Sequence, residues 1–211
     1  MERLRVAIRI WFLALIACAA AVSLAFRYAD MPIALYWSPF ARHLSVLGEG
    51  FSSAMILSGE SVTVMAIVFA RLRYGKVPPP AEALALACLT SICAYAIASN
   101  ALKIYFGVPN PREVLHGAAH AFNFWNGSAH GSFPSGHMAL AAAFAGVFIR
   151  LYPSSLWPLS ALLLLASGLL IVGEWHFLSD VIAGTFIGLS AGLLAGELWD
   201  VHSGRAPAPQ R

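Results

Sequence analysis

Charge is what this sequence has least of. Only 11% of its 211 residues are Asp, Glu, Lys or Arg, against about a quarter in a soluble globular domain. So few charges do not cover a compact surface in water, which leaves lipid as the solvent for most of the chain. Cysteine is scarce too: Cys18, Cys88 and Cys93 all lie inside apolar stretches, and none has the paired spacing of a zinc site or a redox motif. They read as small core residues. The thirteen basic residues leave a formal charge of only +3 and form no stripe that could track a nucleic-acid backbone, so no nucleic-acid partner is expected. Internal repeats are missing as well. Pro78-Pro79-Pro80 reads as an interhelical turn and residues 204–211 as a disordered cytoplasmic tail, because nothing in that tail buries apolar surface. Residues 1–203 are left as a single membrane-embedded domain.

What the chain does have is long apolar runs. They lie at about Ile8–Phe26, Phe51–Ala70, Ala81–Ala101, Pro134–Leu151, Leu156–Gly173 and Leu178–Trp199. A spanning helix needs roughly 20 mostly apolar residues, so the expected fold is all-α, a polytopic bundle of about six transmembrane helices. Glu60, inside the second run, is expected to face the bundle interior, since a lipid-facing carboxylate is costly. Arg3, Arg5, Arg9, Arg71, Arg73, Lys76, Arg150, Arg205 and Arg211 all fall on one side if the spans alternate. The excess of basic residues marks the cytoplasmic side. Both termini are then cytoplasmic, and the loops at about 27–50, 104–133 and 174–177 face outward. The setting that fits is a bacterial inner membrane, with the site on its periplasmic face. Basic residues before the first run also resemble a secretory signal, but the apolar character continues to Phe26.

One outer loop gathers most of the titratable groups. Lys103, Arg112, Glu113, His116, His120 and His130 lie in or beside it, and four of the seven histidines fall between positions 116 and 137. Ionisable residues so concentrated in an apolar chain point to a site. Pro134-Ser135-Gly136-His137 follows at once and opens the fourth helix, whose unpaired N–H groups favour an anion. Gly136 lets a ligand approach the backbone, and His137 exchanges a proton near neutral pH. At the start of the sixth helix His176 and Asp180 are spaced i, i+4, so that the carboxylate can orient the imidazole and free its other nitrogen for attack. His116, His120 and His130 offer a metal site as an alternative to solvated or headgroup-contacting residues. Phe122, Phe124, Trp125 and Phe133 suit an interfacial aromatic belt. Gly184, Gly188 and Gly192 form a small-residue stripe, which suits packing within the chain first and a homodimer second.

In this order, the segments resemble the type 2 phosphatidic acid phosphatase superfamily of membrane lipid phosphatases and vanadium haloperoxidases. Lys103 to Arg112 resembles the first family motif, Pro134 to His137 the second, and Leu169 to Asp180 the third. The resemblance implies that His176 is a nucleophile forming a phosphohistidine, Asp180 its orienting partner, and His137 the general acid. Lys103, Ser135 and the N–H of Gly136 would hold phosphate oxygens. It also implies no metal and no cofactor, a lipid phosphate as substrate, and membrane lipids as surroundings. Two motif arginines are replaced, by Asn110 and Leu170. Charge-assisted hydrogen bonds are worth about 1.5–3 kcal/mol each, so their joint loss costs about 3–6 kcal/mol at the transition state. Arg112, two residues along, is the expected partial substitute, whereas Glu174 would repel phosphate unless it pairs with Lys103 or Arg112. A phosphotransferase of the same family and a noncatalytic lipid-binding relative are the alternatives.

Overall fold

The computed structural model describes the backbone of residues 2–49 and 53–203, and the side chains of 5–41 and 53–203; the expected tail at 204–211 and the side chains of Arg3 and Arg42 lie outside the described residues. Among the described residues there is no strand. Helices α1 (Glu2–Leu24), α2 (Asp30–Glu49), α3 (Ser53–Tyr74), α4 (Pro79–Ile97), α5 (Lys103–Phe106), α6 (Pro111–Leu115), α7 (Gly136–Leu151), α8 (Leu156–Val172) and α9 (Leu178–Ser203) follow in order. Five helical stretches are long and apolar enough to cross a membrane, and Gly136–Leu151 is a shorter sixth. The chain is a helical membrane bundle.

Local chemistry explains the helix ends. Pro79 and Pro80 start α4, where a missing N–H costs nothing. The Ser135 hydroxyl caps α7 by accepting the Met138 N–H at 3.3 Å, and Gly107 closes α5 in the left-handed conformation at φ 61°. The outer helices α3 and α8 bury no residue. Leu162, Leu164, Leu165 and Leu169 of α8 are all exposed, a surface suited to acyl chains and not to water.

The core is the pair α7 and α9. A Cβ added at Gly184 would lie 2.4 Å from the Ser135 carbonyl oxygen, at Gly188 2.4 Å from that of Ala139, and at Gly192 2.3 Å from that of Ala143. This stripe brings the two helices together in parallel, at a separation no larger residue allows. It is used inside the chain, so the homodimer expectation loses the motif that suggested it. α4 packs on the other side of α7. There Ser91 lies 2.9 Å from Glu60 Oε1 and 3.1 Å from the Leu140 carbonyl, so Glu60 faces the interior as expected.

Two expectations need correction. Residues 27–49, expected as most of an outer loop, do not form one. A π-helical turn at Ala25–Ala29 joins α1 to α2, and the helix runs on without a break through residue 49. Arg27, Asp30 and Pro32 imitate a loop in sequence, but Pro32 sits just past the π turn, inside a continuous helix whose hydrogen-bond register has shifted there. The cysteines are not uniformly buried either: Cys88 is, Cys18 is intermediate and Cys93 is exposed.

The π turn has a counterpart at Ala98–Leu102. Each inserts an extra residue into the helical repeat and so rotates the chain beyond it, as such bulges do at many functional sites. Directly after the first comes Asp30, 1% exposed, and directly after the second comes Lys103, 9% exposed. Both charges are thereby turned inward at the same end of the bundle.

Candidate active site

Lys103 is held by the loop that follows it. The N–H groups of Asn123, Trp125, Gly127 and Ser132 donate to the carbonyls of Phe106, Tyr105, Ile104 and Val108 at 2.8–3.0 Å, so residues 116–135 fold back along α5. Gly107 and Gly127 make this close approach possible: a Cβ at either would lie 2.2 Å from a backbone oxygen, of Asn123 and of Lys103 respectively. The Lys103 ammonium has no hydrogen-bond or ion-pair partner among the described residues, while it acts electrostatically on both Asp180 and His137. A buried cation so placed is a ready counter-charge for an anion.

The expected aromatic belt is only partly a belt. Phe124 and Trp125 are exposed, but Phe133 is 7% exposed and packs with Phe106 and Phe122 over the end of α5. Nor do the three loop histidines converge. The His116 Nδ1 sits 2.7 Å from the Arg112 carbonyl, the His120 ring stacks on Phe26, and His130 is exposed. Among the described residues no cluster of three or more His, Cys, Asp or Glu is arranged to hold a metal.

Ser135 and Gly136 are buried at the start of α7. The Cα face of Gly136 is closed by Ser99, whose Oγ would lie 2.3 Å from an added Cβ. The packing of α7 against the Ala98–Leu102 turn therefore also favours glycine at this position. Its N–H, in the first turn of α7, has no partner within the helix.

The third segment is tied to the second at both ends. The Ser135 N–H donates to the Asp180 carbonyl at 3.0 Å. Asp180 Oδ2 accepts the Phe177 N–H at 2.7 Å and also the Ser132 hydroxyl. α9 therefore begins at Leu178 and not at His176. His176 lies in the turn before it, where the Leu170 carbonyl accepts the His176 N–H at 3.2 Å. Glu174 takes φ 58° in this turn. Asp180 is fully buried and His176 is 4% exposed, with 3.5 Å between Oδ2 and Nδ1. That is ion-pair range, longer than a formed hydrogen bond, and such contacts often tighten only when substrate binds. The other ring nitrogen, Nε2, faces Nδ1 of His137 at 3.4 Å.

Three segments, each from a different helix end, thus meet at one face of the bundle with two histidines edge to edge. A sequence model of the PAP2 superfamily matches residues 84–200, more than half of the chain and all three segments. The chain belongs to the PAP2 superfamily. No curated protein and no solved structure matches it. Membership of the PAP2 superfamily brings phosphatase-type chemistry on phosphate esters, and the apolar helices make this PAP2 protein an integral membrane protein.

Asn110, which stands at a motif arginine, has a structural role in this PAP2 chain. Its side chain accepts the Glu113 N–H at 3.0 Å while Glu113 accepts the Asn110 N–H at 3.1 Å, a reciprocal cap that starts α6. α6 directs Arg112 to the third segment, where Nη2 donates to the Gly173 carbonyl at 3.3 Å and the guanidinium lies 5.9 Å from the Trp175 ring centre. Arg112 is exposed and stands at the rim, with donors to spare. Neither it nor Lys103 forms an ion pair with Glu174 among the described residues.

Two contributors had no signal in the sequence motifs. Asp30 accepts the Ser179 N–H at 3.0 Å and its hydroxyl at 2.5 Å, with His120 Nε2 at 3.5 Å. An acidic side chain at a helix N-terminus is favourable, and here Asp30 occupies the start of α9. In the first turn of α7 the described residues place no acidic side chain. The second contributor is Ser53 of α3, whose Oγ lies 2.9 Å from His137 Nε2.

Proposed function

We propose that this chain is a lipid-phosphate phosphatase that hydrolyses a phosphomonoester or pyrophosphate of a membrane lipid through a phosphohistidine on His176. The observation that carries this reading is the 3.4 Å approach of His137 Nδ1 to His176 Nε2, beside the start of α7 and the buried Lys103. In the first step the Nε2 lone pair of His176 attacks phosphorus, and the bond to the leaving oxygen breaks. His137 gives its Nδ1 proton to that oxygen. In the second step water attacks the phosphohistidine, His137 takes the proton back, and the P–N electron pair returns to His176. Asp180 stabilises the charge that develops on the attacking ring. Lys103, the Gly136 N–H and the rim guanidinium of Arg112 bind phosphate oxygens where negative charge develops, and Ser135 holds the Gly136 N–H in place as the cap of α7.

The surroundings support a lipid substrate. The site lies at the ends of apolar helices, where a headgroup would meet Lys103 while its acyl chains lie along exposed apolar side chains such as Leu162, Leu165 and Leu169 of α8. Basic residues at the opposite end, including Arg71 and Arg150, support an outward-facing site with cytoplasmic termini, as in a bacterial inner membrane.

The test is inorganic phosphate release by the detergent-purified protein across lipid monophosphates and pyrophosphates, with His176→Ala alongside. Release that the variant loses supports the reading. Release undiminished in the variant refutes the mechanism, and no release on any lipid by folded protein favours a noncatalytic lipid-binding relative.

A further inference from the structure

Both edges of the His137 ring are engaged, and by different chemistry. Nδ1 faces the attacking nitrogen of His176 at 3.4 Å. Nε2 faces the Ser53 hydroxyl at 2.9 Å, and Ser53 comes from the first turn of α3, outside all three motif segments. We infer that Ser53 is a positioning residue that keeps a proton on Nε2 of His137, so that Nδ1 alone exchanges protons with the substrate. The inference rests on the phosphohistidine reading and on His137 as its general acid.

The proton inventory requires such a partner. To protonate a leaving alkoxide His137 must start as imidazolium, with N–H on both nitrogens, since a neutral imidazole is far too weak an acid. A bound phosphate dianion beside the ring favours that form. When Nδ1–H passes to the leaving oxygen, the N–H electron pair stays on Nδ1 and the ring becomes neutral. Its remaining proton must stay on Nε2, because Nδ1 is needed as the base that takes a proton from the attacking water. A tautomer with the proton on Nδ1 would stop the second step. Facing the imidazolium, the hydroxyl oxygen has only Nε2–H to accept, and the neutral ring left when Nδ1–H departs inherits that bond without rearrangement. The hydroxyl is neutral as well, unlike a carboxylate, which would stabilise the imidazolium and weaken it as an acid. The same bond resists a ring flip that would exchange the two nitrogens.

Leaving-group dependence separates this role from simple packing. A long-chain alkyl phosphate leaves as an alkoxide that needs a proton, whereas p-nitrophenyl phosphate leaves as a stable anion that needs little. Removal of general-acid catalysis costs about a hundredfold or more for the first kind of substrate. In the full-length protein in detergent, Ser53→Ala should lower kcat for the alkyl phosphate by about tenfold, part of that total, and by a much smaller factor for the aryl phosphate. Ser53→Thr, which keeps the hydroxyl, should recover most of the loss. Nitrogen NMR of the neutral His137 ring should give the Nε2–H tautomer in the parent and a mixture in Ser53→Ala, a readout that needs no turnover. Equal losses on both substrates, or an unchanged tautomer, would overturn the inference. His137→Ala on the same two substrates distinguishes the levels. If it penalises the alkyl ester selectively while Ser53→Ala does not, only the role of Ser53 falls. If neither variant discriminates, the general-acid reading falls with it.

Discussion

Replacing Asp30 with alanine removes a carboxylate that is 1% exposed and holds the start of α9 from a distant part of the chain. Two donors lose their acceptor: the Ser179 N–H, now 3.0 Å from Oδ1, and the Ser179 hydroxyl, 2.5 Å from Oδ2. Ser179 is fully buried, so water does not replace the lost partner without opening the site. Each buried donor left unmatched costs about 1–3 kcal/mol, which makes the total about 2–6 kcal/mol. Asp30→Asn keeps one acceptor for the backbone N–H and should lose about half as much. Because Ser179 precedes Asp180, the loss should also loosen the turn that presents His176 and lower turnover. The assay is thermal unfolding in detergent for Asp30→Ala, Ser179→Ala and the double variant. Residues in direct contact should show a coupling of about 0.5–3 kcal/mol. An Asp30→Ala protein as stable as the parent, or a cycle without coupling, would refute the role assigned to Asp30.

Other positions give independent checks. Gly192→Ala would put a Cβ 2.3 Å from the Ala143 carbonyl oxygen and should destabilise the α7–α9 pair by about 1–3 kcal/mol, whereas Gly168→Ala in α8, with nothing within 4 Å, should be neutral or stabilise by up to about 1 kcal/mol; unfolding temperatures compare the two. Arg112→Ala removes a charge-assisted contact worth about 1.5–3 kcal/mol, so kcat/KM should fall by about ten- to a hundredfold, with Arg112→Lys in between. Asn110→Ala should cost about 0.5–2 kcal/mol through loss of the α6 cap and should weaken substrate binding through Arg112, seen as a raised KM. Lys103→Gln should reduce phosphate binding while leaving the fold intact, read as a fall in kcat/KM with an unchanged unfolding temperature.

Much of this site was legible because ionisable side chains are rare in an apolar chain and costly when placed without purpose. Lys103, His137, His176 and Asp180 stand out for that reason, and their spacing on helix ends brings them to one face. The glycine stripe of α9 was legible in the same way, since three small residues at i, i+4 spacing have few uses other than close helix packing. Asp30 was not legible. Arg27 and Pro32 beside it suggest a loop, and its inward placement goes with contacts of Asp30 to Ser179 and of Ala34 to the cluster of Phe177, about 150 positions away in sequence. Ser53 carries no local signal either, because a serine near a helix start is ordinary until His137 is seen beside it. The departure at Asn110 was visible, but its reason, a cap that redirects Arg112 to Gly173, requires the tertiary contact to be read.

The central claim is that His176 carries the phosphoryl group, and rapid acid-free denaturation during turnover of a radiolabelled lipid phosphate, followed by peptide mapping, tests it most directly. The expected result is an acid-labile, base-stable phosphate on the peptide containing His176, absent in His176→Ala and, once formed, longer-lived in His137→Ala, where water lacks its base. Turnover with no label on His176, or with label on another residue, would contradict it.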